Sequence, residues 1–592
     1  MRHSSSKHSK TSLIPIAIIA GIVTACFYAL SHISLIPNAP RFEGSGHSTP
    51  KYGGTFTFHH ESNVRGLDPH VSFDELSSTA IRLIFDGLLD YDGDARLVPS
   101  LATALPDVSA DGMCFTFRLR PGIRFHNQEE LTAHSVRWSM EHMLHRNTHS
   151  PGFPFYKAIV GAEDFHSGDA EHVEGIEVLD RYTIRFRLRE PDQTFLNAMA
   201  MPFAYPVPQE MYAEGRDPRK TPIGTGPFRL LHWERGVRLI FERNTEYWNE
   251  GKPYVDRMIF LENLGRNLAV TRFLNGDLDT AHRFSVAHYH LFKSGDFSGW
   301  HPFMHEYPKI TLWGFAMNTE LPPFDNMHIR RAVAFAIDRE AWSRARGGRI
   351  SPHGQPIPPQ LMGFDPDLEH AQRFDLEQAR TEMRLAGHPV VQTAEGWRAE
   401  GIAPITVWMG ESPGARQLSA LLKQDLSAIG LEVKARHVSF SLYLQQTGTR
   451  GTAQMAFSGW SMDFPDPDNF LFLWHSGSIA ETNSNNRSFY SNAAVDQLLD
   501  EARAERDTSR REKLYRKASN ILAREAPWAF TFVDRSLEAW QPYVRNYRPH
   551  PVWSANYRDV WLDLPLRPFK SATDSSTKSQ KQKTHAPKDR AS

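Results

Sequence analysis

The chain has 592 residues, several times the length of an ordinary single domain, so more than one packed core is expected and a small binding module is excluded. Lys and Arg total 67 against 68 Asp and Glu, a net charge of −1, which leaves no basic face for a phosphate backbone and makes nucleic acid an unexpected partner. Hydrophobic residues make up 40% and aromatics 11%, enough for burial, while two cysteines, Cys26 and Cys114, exclude a disulfide scaffold and a Cys-rich metal site.

Residues 11–40 contain no Asp, Glu, Lys or Arg, follow Arg2, Lys7 and Lys10, and precede the first acid, Glu43. This is the pattern of an export signal or membrane anchor. The apolar run 13–30 is at the short end of what spans about 30 Å of hydrocarbon. Within it Val23-Thr24-Ala25-Cys26 resembles a bacterial lipobox, with Cys26 as the lipidated residue, whereas Phe27-Tyr28-Ala29-Leu30 continues the run as an uncleaved helix would. Both readings stay open, with complete cleavage and release as the third, and all place the body of the chain outside the cytoplasm. Residues 41–51 read as a tether. Residues 570–592, with six Lys or Arg and no large apolar residue, read as a disordered tail.

Between these ends, strands alternate with helices. Residues 53–58, 114–119 and 183–188 alternate apolar and polar, as half-buried strands do. Asp90-Tyr91-Asp92-Gly93-Asp94 has the look of a calcium loop without its later Glu, and a hairpin turn accounts for it. His142, His145 and His149, with Glu141, have spacings that would suit metal ligands on one helix face, although a solvated face of a chain with 28 histidines suits them as well. A helix is expected from Asp375 as N-cap, through Leu376, Ala379, Met383 and Ala386, to Gly387. Another begins near Gly414, carries Leu418, Leu422, Leu426 and Ile429, ends at Gly430 and feeds a strand over 431–435. A third is expected to start on a capping box, Ser509 to Glu512, and stop before Pro527.

Gly410-Glu411-Ser412-Pro413-Gly414 matches the nucleophile elbow of acyl hydrolases, with Ser412 as nucleophile. That elbow needs the backbone N–H of the residue after the serine, and Pro413 has none. Catalysis by this elbow is therefore not expected, and no P-loop is present.

The order of segments carries a resemblance. Gly53-Gly54-Thr55, Leu67-Asp68-Pro69-His70, Phe85-Asp86-Gly87-Leu88-Leu89, Phe117-Arg118-Leu119-Arg120-Pro121-Gly122, Gly224-Thr225-Gly226-Pro227-Phe228, Arg243-Asn244-Thr245-Glu246-Tyr247-Trp248, Ile329-Arg330-Arg331-Ala332 and Gly459-Trp460-Ser461-Met462-Asp463 resemble, in sequence order, the family 5 extracellular solute-binding proteins. Asn127-Gln128-Glu129 and Cys114 depart from the family pattern. The resemblance implies an α/β, two-lobed periplasmic-binding-protein type II fold with an inserted subdomain. Its boundaries would be 1–40 signal or anchor, 41–51 tether, 52–92, 206–308 and 537–569 first lobe, 93–205 insert, 309–536 second lobe and 570–592 tail.

It further implies a peptide ligand held in the cleft by hinge closure and delivered to the permease and ATPase subunits of an ABC importer, with no cofactor and no metal. The ligand backbone would meet Val71, Ser72, Phe73 and Asp74 on one lobe and Gly459, Trp460 and Ser461 on the other. Asp463 would receive the peptide ammonium and Arg416 its carboxylate, while Trp460 would wall a side-chain pocket. A nickel or metal-chelate receptor of the same family is the alternative, and an acyl hydrolase using Ser412 the remote one.

Overall fold

A computed structural model describes residues 49–564, apart from Phe73, Ser294 and Glu395. Cys26, the apolar run, most of the tether and the tail lie outside the described residues. None of the described helices is long and apolar enough to cross a membrane.

The alternating segments become strands because one side of each can be buried. In Thr55–His59, Phe56 and Phe58 are almost fully buried. This strand pairs in parallel with Arg257–Leu261, which continues antiparallel to Arg238–Arg243 and then Phe228–Glu234. A separate antiparallel sheet is built from Asp107–Val108, Cys114–Arg118, Thr183–Arg187 and Ile176–Asp180. The helix Ala133–Leu144 packs beside it, and both sheets share one hydrophobic core.

An eight-stranded sheet runs through the second lobe and out along the strands that join it to the first. Its main order is Thr280–Ala281, Trp528–Trp540, Thr311–Met317, Met455–Ser461, Ile405–Gly410 and Val433–Val438. Ile405–Gly410, the helix Pro413–Ser427 and Val433–Val438 form a parallel β-α-β unit, as the expected helix and strand require, although the strand begins two residues later than the sequence suggests. The helix Leu376–Leu385 is capped by Asp375, whose carboxylate accepts from the Gln378 N–H at 2.9 Å. The last helix, Thr508–Glu525, is capped by Asp507 rather than by Ser509. Asp507 stands at the β-region position where its carboxylate reaches the Arg510 N–H, which moves the helix start earlier than the capping-box pattern implies.

Two chain passages join the lobes side by side. Met304–Pro308 pairs with one end of Trp528–Trp540 and Thr311–Met317 with the other, and between them the Lys309 N–H donates to the Asp534 carbonyl at 2.8 Å. Hydrogen-bonded crossovers of this kind allow bending about a short segment while each lobe keeps its own core.

Candidate functional site

A cleft of about 1010 Å³ opens between the lobes. One wall comes from the helix Glu75–Ile84 and the segments around Met201 and Trp553. The other comes from Tyr307 to Thr311, Phe440 and Gly459 to Asp463. At one end the lobes touch. Phe464 joins the core of the first lobe, with its ring 6.4 Å from that of Phe155, and the Gln193 N–H donates to the Arg503 carbonyl at 2.9 Å.

The strand Met455–Ser461 supplies the site's edge. It pairs along its length with Thr311–Met317, but Ile405–Gly410 meets it only at Met455 and Ala456. The Met462 N–H donates to the Ile310 carbonyl at 3.1 Å, which sets the phase of the antiparallel ladder. Residues 458 and 460 then point their backbone groups at the neighbouring strand, while Gly459 and Ser461 point theirs at the open edge. Gly459 has no room for anything larger: a Cβ there would stand 2.2 Å from the Trp313 ring. That ring is fixed by a 2.7 Å hydrogen bond to Asp534 and by stacking on Phe457, so it is poorly placed to yield.

Asp463 follows directly, half-buried in the cleft wall. Its N–H donates to Asn469 Oδ1 at 2.8 Å, and Asn469 Nδ2 donates back to its carboxylate at 3.0 Å. It has no cation partner among the described residues. Burial pushes its carboxyl up to about 6, against the hydrogen bonds from Asn469 and Trp460. Three residues on, the Asp466 carboxylate accepts from the Asp468 N–H and from both terminal nitrogens of Arg511. Trp460 also lines the cleft, packed edge-on against Phe472.

On the opposite wall the expected residues divide. Ser72 and Asp74 line the cleft, and Phe73 lies outside the described residues. Val71 faces a different cavity, with Trp138, His142 and Tyr212. The N–H groups of Val71 and Ser72 both donate to the Asp68 carbonyl, so neither is spare for a ligand strand. Asp74 caps the helix Glu75–Ile84, accepting from the Ser77 N–H and hydroxyl at 2.9 and 2.7 Å. Arg416 is exposed, bonded to Glu411, and not among the cleft-lining residues. Ser412 caps the helix Pro413–Ser427, its hydroxyl accepting from the Ala415 N–H at 3.1 Å.

Of the three histidines only His142 lies within the helix, although His142, His145 and His149 all line the cavity that Val71 faces. The helix ends at Leu144, His142 Nδ1 lies 3.0 Å from His70 Nδ1, and His145 accepts from the Asn147 N–H. No group of three or more His, Cys, Asp or Glu among the described residues is placed to hold a metal ion. Asp90 and Tyr91 end the strand Leu89–Tyr91, and Asp92 opens the hairpin turn that joins it to Leu97–Pro99. Burial pushes the Asp90 carboxyl up, but Arg82 and Arg558 overcome this and hold it at about 2.

Sequence reasoning missed several cleft residues: Phe440, Tyr307, Lys309, Val552 and Trp553. Nothing local marks them except Phe440, an aromatic left largely exposed at the first position of a helix.

Comparison with known proteins places this geometry. The model of the bacterial extracellular solute-binding proteins, family 5, matches residues 96–482. Di/tripeptide-binding protein 2 of Pseudomonas aeruginosa is 28% identical over 503 residues, covering 80% of this chain and 87% of that protein. Among solved structures, the periplasmic binding protein DppA of Helicobacter pylori in complex with the peptide STSA superposes with a TM-score of 0.72 at 26% identity, over 86% of this chain and 98% of that one. The Escherichia coli murein tripeptide binding protein MppA gives 0.73 at 23% identity, over 86% and 98%. The α/β, two-lobed type II fold and the cleft between its lobes are those of this group, and the chain belongs to the family 5 extracellular solute-binding proteins.

Proposed function

We propose that the cleft captures peptides, binding their main chain along the edge at Gly459 and Ser461 and their amino end at Asp463, and that the closed complex is delivered to the permease of an ABC importer. The observation that carries this reading is a carboxylate in the cleft wall that no cation of the described chain neutralises. A charge so placed gains strongly from an ammonium ion and stays costly without one. The free edge beside it favours an extended ligand and is indifferent to side chains. Arg416 enters this reading only if it leaves Glu411 and reaches the cleft on closure. The capping bond of Ser412 and the missing N–H at Pro413 support binding without catalysis.

Calorimetry with free and N-acetylated peptides tests the assignment. Asp463→Asn keeps the shape and deletes the charge, and loss of a desolvated charge pair costs roughly 2–5 kcal/mol, a fall of about thirty-fold or more in affinity. N-acetylation should weaken binding to the native protein and matter less to the variant. If the variant binds both peptides as the native protein does, the reading fails. Attachment to the membrane is proposed through the N-terminal apolar run: Cys26→Ser abolishes lipid labelling if the lipobox is used, and leaves size and membrane retention unchanged if the helix stays uncleaved.

A further inference from the structure

Asp463 keeps its orientation through one neighbour. Asn469 is almost fully buried, and its side chain closes a ring with Asp463: Oδ1 accepts from the Asp463 N–H at 2.8 Å, while Nδ2 donates to Asp463 Oδ2 at 3.0 Å. The same Oδ1 accepts from Trp460 Nε1 at 3.3 Å. Two donors converging on one atom fix which end of the amide is the oxygen, so Nδ2 is the end turned to the carboxylate. The amide is itself held from behind. It stands on the one-turn helix Asp468–Leu471, where the Asn469 N–H donates to the Asp466 carbonyl at 3.1 Å. Arg511 grips the carboxylate of Asp466, and Arg503 that of Asp468 at 3.0 Å, so two ion pairs of the second lobe set where the amide sits. From the first lobe Asp74, Glu75, Arg82, Asp94 and His550 line the same cleft, and from the crossover His305, Tyr307 and Lys309. None of these enters the balance at Asp463: burial raises its carboxyl to about 6, and hydrogen bonds from Asn469 and Trp460 work against that.

We propose that Asn469 is a positioning residue of the binding site, which fixes the Asp463 carboxylate in its ligand-ready orientation before a peptide arrives. The inference rests on the peptide reading above and goes beyond it, since Asn469 lies behind the cleft wall and is not among the residues that line it. A carboxylate on a freely turning side chain must be ordered by the ligand it binds, and ordering one side chain weakens affinity about two- to tenfold. The same amide acts on the proton of Asp463. A hydrogen bond donated to the ionised form favours that form, so a site without Nδ2 gives up its proton less readily.

The test is calorimetry with trialanine from pH 5 to 8 on the native protein and on Asn469→Leu, which keeps the branched shape and removes both hydrogen-bonding ends. The variant should bind about threefold more weakly at pH 8, where Asp463 is ionised in both proteins. The gap should widen toward about twentyfold by pH 5.5, because the carboxyl has lost a donor and holds its proton about one pH unit higher. A gap that is the same at every pH reports damage to the fold or to the cleft's shape and overturns the proposal, as does native binding by the variant. Placed on Asp463→Asn, the Asn469→Leu change should cost less than about twofold further, since the charge it orients is gone, and an equal loss in both backgrounds overturns the proposal. Should the Leu variant not fold, Asn469→Asp keeps the size and the acceptor and turns the donor into a second carboxylate. The acid limb should again move up in pH, and an unmoved limb overturns the positioning role. If the native protein shows no acid limb and no penalty for N-acetylated trialanine, the Asp463 assignment itself fails and the positioning role falls with it.

Discussion

Asp463 and Asp466 sit three residues apart on one turn and have opposite surroundings. Asp466 is turned into the second lobe, where Arg511 grips it through both terminal nitrogens at 2.7 and 2.9 Å and Tyr515 bonds the same guanidinium. Asp463 is turned to the cleft, where Asn469 and Trp460 orient it and no cation of the described chain answers it. The same residue type thus holds the fold together at one site and stands ready for a ligand at the other. What separates them is whether the sequence supplies the partner.

The contrast predicts different losses. Asp466→Ala leaves the Arg511 guanidinium buried without its acid, and breaking such a pair costs about 3–5 kcal/mol of stability. Denaturant unfolding should register this, while any protein that remains folded should bind peptide as before. If stability falls by less than about 1 kcal/mol, the pair is not the structural element inferred from its burial.

At Asp463 the effect should appear as a pH dependence. A carboxyl raised from 3.8 to about 6 binds its proton more tightly in the folded state. Its contribution to stability is therefore complete below the unfolded value and is lost as pH rises from 3.8 through about 6. Ligand binding runs the other way, because an ammonium must displace that proton. Affinity should rise close to tenfold per pH unit up to about 6, stay level, and fall again above about 8 as the peptide amine loses its proton. Asp463→Asn should flatten the acid limb. If the limb survives in that variant, another group is responsible for it.

Gly459 joins the two sites, since it lies on the strand leading into the turn. Gly459→Ala drives a Cβ to within 2.2 Å of the Trp313 ring, and overpacking of this kind costs about 1–3 kcal/mol. Peptide affinity should drop as well, because the strand edge has to shift. A variant with native stability and native affinity would show that Trp313 yields freely, despite its bond to Asp534.

The α/β fold class and several elements were legible in the sequence, because alternation and capping are local signals. Phe56 and Phe58 mark a strand, and Asp375 marks a helix start, without knowledge of what they pack against. The Ser509 capping box failed for a local reason too: Asp507 offers a cap two residues earlier, and the first competent side chain took it. The cleft was less legible. Asp463 and the Gly459 edge were found through an ordered set of motifs, but Lys309 reaches the cleft only through pairing of distant strands and Trp553 through its contacts with Asp90 and Arg82, none of which a short window contains. Val71 was expected beside a ligand on the same ground, and the turn at Asp68 carries it to another cavity. Whether a charged residue has a partner is likewise a three-dimensional property. Arg416 had the right residue type and spacing, and its neighbour Glu411 holds it outside the cleft lining.

That last pair gives the smallest expected effect. Arg416 and Glu411 are both exposed, in contrast to Arg511 and Asp466. In water their attraction is screened, and holding two long side chains in one geometry costs entropy, so such pairs contribute about 0–1 kcal/mol. Arg416→Ala should therefore change unfolding stability by less than about 1 kcal/mol, with the difference shrinking further at high salt. A loss several times larger, and insensitive to salt, would mean that Arg416 is desolvated in the working protein. The lobes would then close further than the arrangement in this structure, bringing this guanidinium into the cleft to meet the carboxyl end of the ligand.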